Sequence, residues 1–158
     1  MAKIKDNIEI ERKFLLNNLI LIDRIIDKIE PSYIEQVYLS NNPQIRMRRI
    51  DNETFTLNIK FGRGLSRTEL KGKVTGNFAL LFDDKKLIKQ RYEISEAEVY
   101  TIEIDVYINP ANLIIAEIEF DSEEDALSYE FPAWFKKYVV KEVTNDIEYS
   151  NQRIFERL

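Results

Sequence analysis

Apolar and polar residues alternate with period two along most of the chain, the pattern of strands whose successive side chains point to opposite faces. The alternation predicts eight strands, over 7–16, 33–39, 44–50, 54–61, 67–74, 86–94, 99–108 and 113–120. Eight is a number that closes well into a barrel. Helical periodicity is rarer. Leu19, Ile22, Ile25, Ile26 and Ile29 form an apolar stripe at 3.6-residue spacing that stops before Pro31. Shorter helices are predicted over 77–83, over 122–127 and after Asp146, the second with Ser122 as cap and Asp125 in place of the usual Glu or Gln. Turn chemistry falls at Asn41-Asn42-Pro43, Asp51-Asn52, Gly62-Arg63-Gly64 and Asn109-Pro110. No repeat, low-complexity tract or linker divides the sequence, so residues 1–158 are expected to form a single domain of α+β, mainly β, class.

The polar halves of these strands are unusually charged. Glu9, Glu11 and Lys13 share one face of the first strand, against Ile8, Ile10 and Phe14 on the other. Arg46 and Arg48 oppose Ile45 and Met47, and Thr56, Asn58 and Lys60 oppose Phe55, Leu57, Ile59 and Phe61. Glu103 and Asp105 oppose Ile102, Ile104 and Val106, and Glu117 and Glu119 oppose Ile118 and Phe120. An ordinary sheet with one solvated face explains any single strand. The whole set fits that explanation less well, because solvated faces mix charge signs for cross-strand pairing. Here carboxylates concentrate in the first, seventh and eighth strands, and Arg and Lys in the third, fourth and sixth.

Composition narrows the chemistry. The net charge of −5 argues against a nucleic-acid polymer as partner, since that affinity comes from surplus Lys and Arg. With no Cys and no His, thiolate nucleophiles, imidazole bases and soft-metal sites are excluded. The four glycines complete neither a Walker nor a Rossmann loop. No apolar run of membrane-spanning length and no signal-peptide pattern is present, so a cytoplasmic protein without membrane attachment is expected.

A closed sheet leaves two arrangements, charge inside or charge outside. With charge inside, Glu9 and Glu11, about 7 Å apart by strand rise, would share the lumen with Glu117 and Glu119 and repel strongly. A divalent cation relieves that repulsion, and carboxylates without His or Cys select hard ions such as Mg²⁺ or Mn²⁺. The opposing Arg and Lys then ask for a highly anionic ligand, and polyphosphate fits.

Ile8-Glu9-Ile10-Glu11-Arg12-Lys13 resembles the E-x-E-x-K signature of the CYTH superfamily, the triphosphate tunnel metalloenzymes. Gln36-Val37-Tyr38-Leu39 is similar to the family's Q-G-Y-L, Ile45-Arg46-Met47-Arg48 to its R-x-R strand, and Leu57-Asn58-Ile59-Lys60 to its following Lys strand. Ser66-Arg67-Thr68-Glu69, Lys89-Gln90-Arg91-Tyr92, Glu103-Ile104-Asp105, Glu117-Ile118-Glu119 and the Glu142–Asp146 segment with Tyr149-Ser150-Asn151 continue the resemblance over nearly the whole chain. It implies a closed eight-stranded antiparallel β-barrel, a tunnel with a charged lumen and a few flanking helices. It also implies Mg²⁺ or Mn²⁺ as cofactor and hydrolysis of tripolyphosphate or an organic triphosphate, with thiamine triphosphatase, nucleoside triphosphatase, adenylate cyclase and a non-catalytic polyphosphate-binding module as alternatives.

By that resemblance the metal candidates are Glu9, Glu11, Glu69, Glu117 and Glu119, with Glu117 or Glu119 also the candidate base. The phosphate candidates are Lys13, Arg46, Arg48, Lys60, Arg67, Lys89 and Arg91. Two departures stand out: Lys71 where a second acid is common after Glu69, and Val37 for Gly. Trp134, Phe131 and Phe135 are expected to pack on the barrel, Asp83-Asp84-Lys85-Lys86 to be a solvated turn, and the C-terminal helix to close one mouth. Scarce helices to cover apolar outer faces suggest a homodimer.

Overall fold

The computed structural model describes residues 5–25, 27–62, 65–96 and 99–158. Ile26 and the side chain of Ile22, from the predicted stripe, and Arg63 and Gly64, from a predicted turn, lie outside the described residues. Eight antiparallel strands form the barrel: β1 (Lys5–Leu16), β2 (Ser32–Asn41), β3 (Gln44–Ile50), β4 (Thr54–Phe61), β5 (Ser66–Val74), β6 (Leu87–Glu96), β7 (Tyr100–Asn109) and β8 (Ile114–Glu119). They run in the order β5-β4-β3-β2-β6-β7-β8-β1, and pairing of β5 with β1 closes the ring. All eight agree with the alternation, and the β3–β4 turn has Asp51 and Asn52 at positive φ, a backbone state that Asn and Asp tolerate.

A ninth strand, β9 (Val139–Glu142), has no counterpart in the predicted set. It pairs with the C-terminal end of β1, through Phe14–Leu16, where β5 no longer reaches. Lys13 continues that edge, its carbonyl accepting from the Val143 N–H and its own N–H donating to Thr144. Four residues are too few to show a period, which is why the pattern misses β9.

The long stripe after β1 also folds differently. Among the described residues it contains a π-helical turn, Leu21–Ile25. The wider π winding breaks 3.6-residue spacing, so Ile20 and Ile25 are buried while Leu19 is exposed. Three other predictions match: a 3₁₀ turn at Ala79–Phe82, α1 (Glu123–Ser128), and a 3₁₀ turn at Ile147–Tyr149 leading into α3 (Asn151–Glu156), while the short α2 (Ala133–Lys136) has no counterpart in the predicted set. Ser122 caps α1 by accepting from the Asp125 N–H at 3.0 Å. No helix among the described residues is long and apolar enough to cross a membrane.

The apolar core lies outside the barrel wall. Ile10, Phe14, Ile102, Ile104, Ala116 and Ile118 on the outer faces of β1, β7 and β8 pack under Ile20, Ile25, Ala126 and Phe135. The Phe131–Phe135 cluster belongs to this cover, with the Phe14 ring edge-on to both at 4.6 and 5.7 Å. A second cover, from Phe78 and Phe82, packs on Val37, Met47, Phe55 and Leu57. The run ending in Lys86 is therefore not wholly solvated: Lys86 reaches buried Glu35 at 3.2 Å and the Phe82 carbonyl at 2.7 Å, because the 3₁₀ turn folds it back on β2. Covers are thinner over β5 and its neighbours, where Ile8 and Phe61 are 68% and 46% exposed.

Replacing Ile104, fully buried in the outer core, by Ala is expected to cost about 2–5 kcal/mol, read as a lower midpoint in urea unfolding.

Candidate active site: a charged lumen

Strand parity sends the charged residues inward. Glu9, Glu11, Lys13, Arg46, Arg48, Lys60, Lys89 and Glu117 are all buried, Arg67, Glu69 and Arg91 are partly buried, and Glu119 stands exposed at the end of β8. The predicted candidates thus share one lumen. Acids on the adjacent strands β7, β8 and β1 face the arginines and lysine of β3 and β4 across it.

Most of these groups join in a chain of alternating sign. Lys60 lies 2.8 Å from Glu9, Glu9 3.0 Å from Arg67, and Arg67 2.5 Å from Glu11. Lys13 links Glu11 at 3.1 Å to Glu117 at 3.5 Å, and Glu117 is 3.1 Å from Arg91. Arg91 then pairs with Asp105 at 2.7 Å, and Asp105 with Lys89 at 2.5 Å. Burying ions costs several kcal/mol each, so the alternation is the condition for the lumen to exist. Burial alone raises the Glu117 carboxyl, but Lys13, Arg91, Lys89 and Lys60 outweigh it and hold it well below the usual range. Burial, helped by Arg91 and Arg48, pushes Lys89 down to about 7 against the pull of Asp105 and Glu117.

Lys89 and Asp105 are both 0% exposed. They form a sealed pair in the wall, with the Lys89 ammonium 5.5 Å from the Tyr107 ring centroid. Arg91 donates to both Asp105 oxygens, at 2.7 and 2.8 Å, and is thereby aimed at Glu117.

Arg46 and Arg48 stand apart. Neither has an ion-pair partner among the described residues; Arg48 donates to Gln36 at 3.3 Å. The Nε atoms of Arg46, Arg48 and Arg67, with Thr56 Oγ1 and Asn58 Oδ1, are buried and lack a hydrogen-bond partner among the described residues. Burial and the neighbouring cations Arg46 and Arg91 push Arg48 down to about 9. A guanidinium keeps its proton at neutral pH, so this unfavourable setting acts as an affinity for anions.

At the other side, Glu11 lies directly opposite Glu119 in the β1–β8 register, a like-charge cross-strand pair. Glu119 is raised, first by burial and then by Glu9, Glu11 and Glu69. An all-carboxylate donor set with mutual repulsion fits a hard divalent cation. No three acids among the described residues converge tightly enough to hold one as they stand. Arg67 instead bridges Glu9 and Glu11, and Glu69 accepts from Asn58 at 2.7 Å.

One end of the lumen is plugged: Ile154 of α3 packs on Leu87, Tyr107 and Ile115, and Tyr107 donates to Asn151 at 2.5 Å. Beside the plug a cavity of about 1170 Å³ opens between the β2–β3 and β4–β5 turns and the segment leading to α3, with Glu11, Lys13, Lys60 and Arg67 in its lining.

Site residues without a role in the sequence-based set are Asp105, Gln36, Thr56 and Asn58. All but Gln36 stood in the polar halves of predicted strands. What distinguishes them, full enclosure and missing or specific partners, arises only once strands are paired.

Glu11, Asp105 and Glu117 all have lowered pKa values. The unfolded chain therefore binds protons first, and the stability these groups contribute is complete above about pH 4.5 and lost as pH falls through their folded values. The urea midpoint is expected to drop steadily below that pH, and Glu117→Gln to show a shallower acid limb.

No family model matches the chain. The inorganic triphosphatase of Nitrosomonas europaea is 29% identical over 154 residues, covering 92% of this chain and 95% of that protein. The crystal structure of an inorganic triphosphatase superposes with a TM-score of 0.61 at 24% identity, over 92% of this chain and 93% of that one. A candidate adenylyl cyclase from Hippeastrum, reported with a dominant triphosphatase activity, superposes with a TM-score of 0.59 at 13% identity, over 94% and 95%. Strand order, closure, inward charge and these likenesses agree: the chain has the triphosphate tunnel fold of the CYTH superfamily.

Proposed function

We propose that this chain is a divalent-metal-dependent triphosphatase that hydrolyses inorganic tripolyphosphate and releases orthophosphate. One observation carries the reading: a repelling carboxylate group, Glu9, Glu11, Glu69 and Glu119, shares a lumen with two arginines, Arg46 and Arg48, that have no carboxylate of their own among the described residues. A phosphate chain tied to the acids through a hard cation answers both needs. The near-full-length similarity to an inorganic triphosphatase supports the same substrate class.

Mg²⁺ or Mn²⁺ bound by those acids would supply charge neutralisation at phosphoryl oxygens. Glu9 and Glu11, now in contact with Arg67, would be among the residues that hold the ion. Arg67, Lys13, Lys60, Arg46 and Arg48 would hold the phosphates, where forked guanidinium donors suit phosphoryl oxygens. Glu117 is held by Lys13 and Arg91 and keeps that wall in order. Glu119, with its raised pKa and its exposure, is the better acceptor for the proton of an attacking water. Lys89 acts from within the wall, through Asp105 and Arg91. Lys71 already acts as a cation on Glu119, which favours one ion over two. A cytoplasmic homodimer, meeting through the thinly covered face with Ile8 and Phe61, completes the reading, and sedimentation at micromolar concentration is expected to give the dimer mass.

The deciding measurement is phosphate release from tripolyphosphate, ATP and thiamine triphosphate with Mg²⁺ or Mn²⁺, with cyclic AMP assayed alongside. Tripolyphosphate is expected to be hydrolysed fastest, and chelation to abolish the activity. Cyclic AMP as the main product from ATP, or tight tripolyphosphate binding without turnover, would overturn the proposal. Glu11→Gln is expected to lose about 3 kcal/mol of barrier lowering, roughly a hundredfold in rate.

A further inference from the structure

The inner face of β4 carries two neutral polar residues among the charges. Thr56 and Asn58 are 7% and 0% exposed. In the β3–β4 register Arg48 lies opposite Thr56 and Arg46 opposite Asn58, so the four side chains form a square on one wall. Each contributes a buried atom with no hydrogen-bond partner among the described residues: both arginine Nε atoms, the Thr56 hydroxyl and the Asn58 carbonyl oxygen. A buried hydroxyl without a partner destabilises the fold where Val, of nearly the same shape, would not. A hydroxyl kept there points to a ligand that supplies the missing bond.

The square's chemistry describes that ligand. Three of its four orphaned groups are donors or can donate, two of them cationic, which matches a tetrahedral oxyanion with several acceptor oxygens. Asn58 also uses its amide N–H to hold Glu69 at 2.7 Å, with Lys60 3.9 Å from the same carboxylate oxygen. The square therefore adjoins the acid group through a single side chain.

We propose that Thr56 is a substrate-contacting residue whose hydroxyl donates to a phosphoryl oxygen seated on Arg46 and Arg48, and that Asn58 is the positioning residue joining this seat to Glu69. The proposal rests on the triphosphatase reading and adds to it a specific seat for one phosphoryl group. A purely structural Thr56 and a ligand-binding one differ in sign. If the hydroxyl serves the ligand, Thr56→Val keeps or raises the melting temperature while weakening tripolyphosphate binding.

The experiment is calorimetric titration of the full chain with tripolyphosphate, for wild type, Thr56→Val and Thr56→Ser, with melting curves for each and hydrolysis measured alongside. Thr56→Val is expected to bind about tenfold more weakly, the worth of a hydrogen bond to a charged group, and to melt at or above the wild-type temperature. Thr56→Ser is expected to restore binding to within about twofold. Unchanged affinity in Thr56→Val, or a Thr56→Val protein that melts well below wild type or fails to fold, overturns the inference while an active wild type keeps the triphosphatase reading. A wild type that neither binds nor hydrolyses tripolyphosphate overturns both.

Discussion

The constraint on which everything else turns is the burial of charge inside a closed barrel. An ion taken from water costs several kcal/mol unless a counter-ion meets it at hydrogen-bond distance. The lumen meets that condition by alternation, from Lys60 through Glu9, Arg67, Glu11, Lys13, Glu117, Arg91 and Asp105 to Lys89. The links share members: Arg67 bridges Glu9 and Glu11, and Lys13 bridges Glu11 and Glu117. Charged contacts that would be weak on a surface become obligatory here, because each carboxylate's alternative is an unpaired buried charge.

That inversion dictates the remainder of the fold. With charge inside, the apolar halves of the strands face outward and need cover, which α1, α2, the π-helical turn and the Phe78–Phe82 segment provide. β1 is central because it reaches three partners: β8 along one side, and β5 then β9 along the other. Glu9, Glu11 and Lys13 accordingly lie in a row that passes from the closing seam to the open cavity. α3 packs apolar side chains into the barrel beside that cavity, so the same end holds both the apolar plug and the charged opening.

The chain of ion pairs stops short of Arg46 and Arg48, and this asymmetry connects the fold to the proposed chemistry. A fully neutralised lumen would have no reason to admit an anion. The two guanidinium groups without an ion-pair partner among the described residues stand on one wall and mutually repelling acids on the other, the arrangement on which the proposed cation and phosphate chain rest.

The sequence alone determined which residues share a face, because a strand has period two and no tertiary contact can change that parity. From it came the eight strands, the grouping of Glu9 with Glu11 and Lys13, of Arg46 with Arg48 and of Glu117 with Glu119, and the motif order that resembles the CYTH superfamily. Parity does not say which face a closing sheet turns inward; that required the outer apolar cluster and its cover. Nor does it give register, which set Glu11 against Glu119, Arg48 against Thr56, and Lys89 beside Asp105 in a sealed pair. Four-residue β9 escaped because it is too short to show a period, and the apolar stripe after β1 signalled a helix without disclosing its π winding. Local chemistry decides the faces of the strands, and only closure of the ring, with the desolvation cost it imposes, decides which charges must meet.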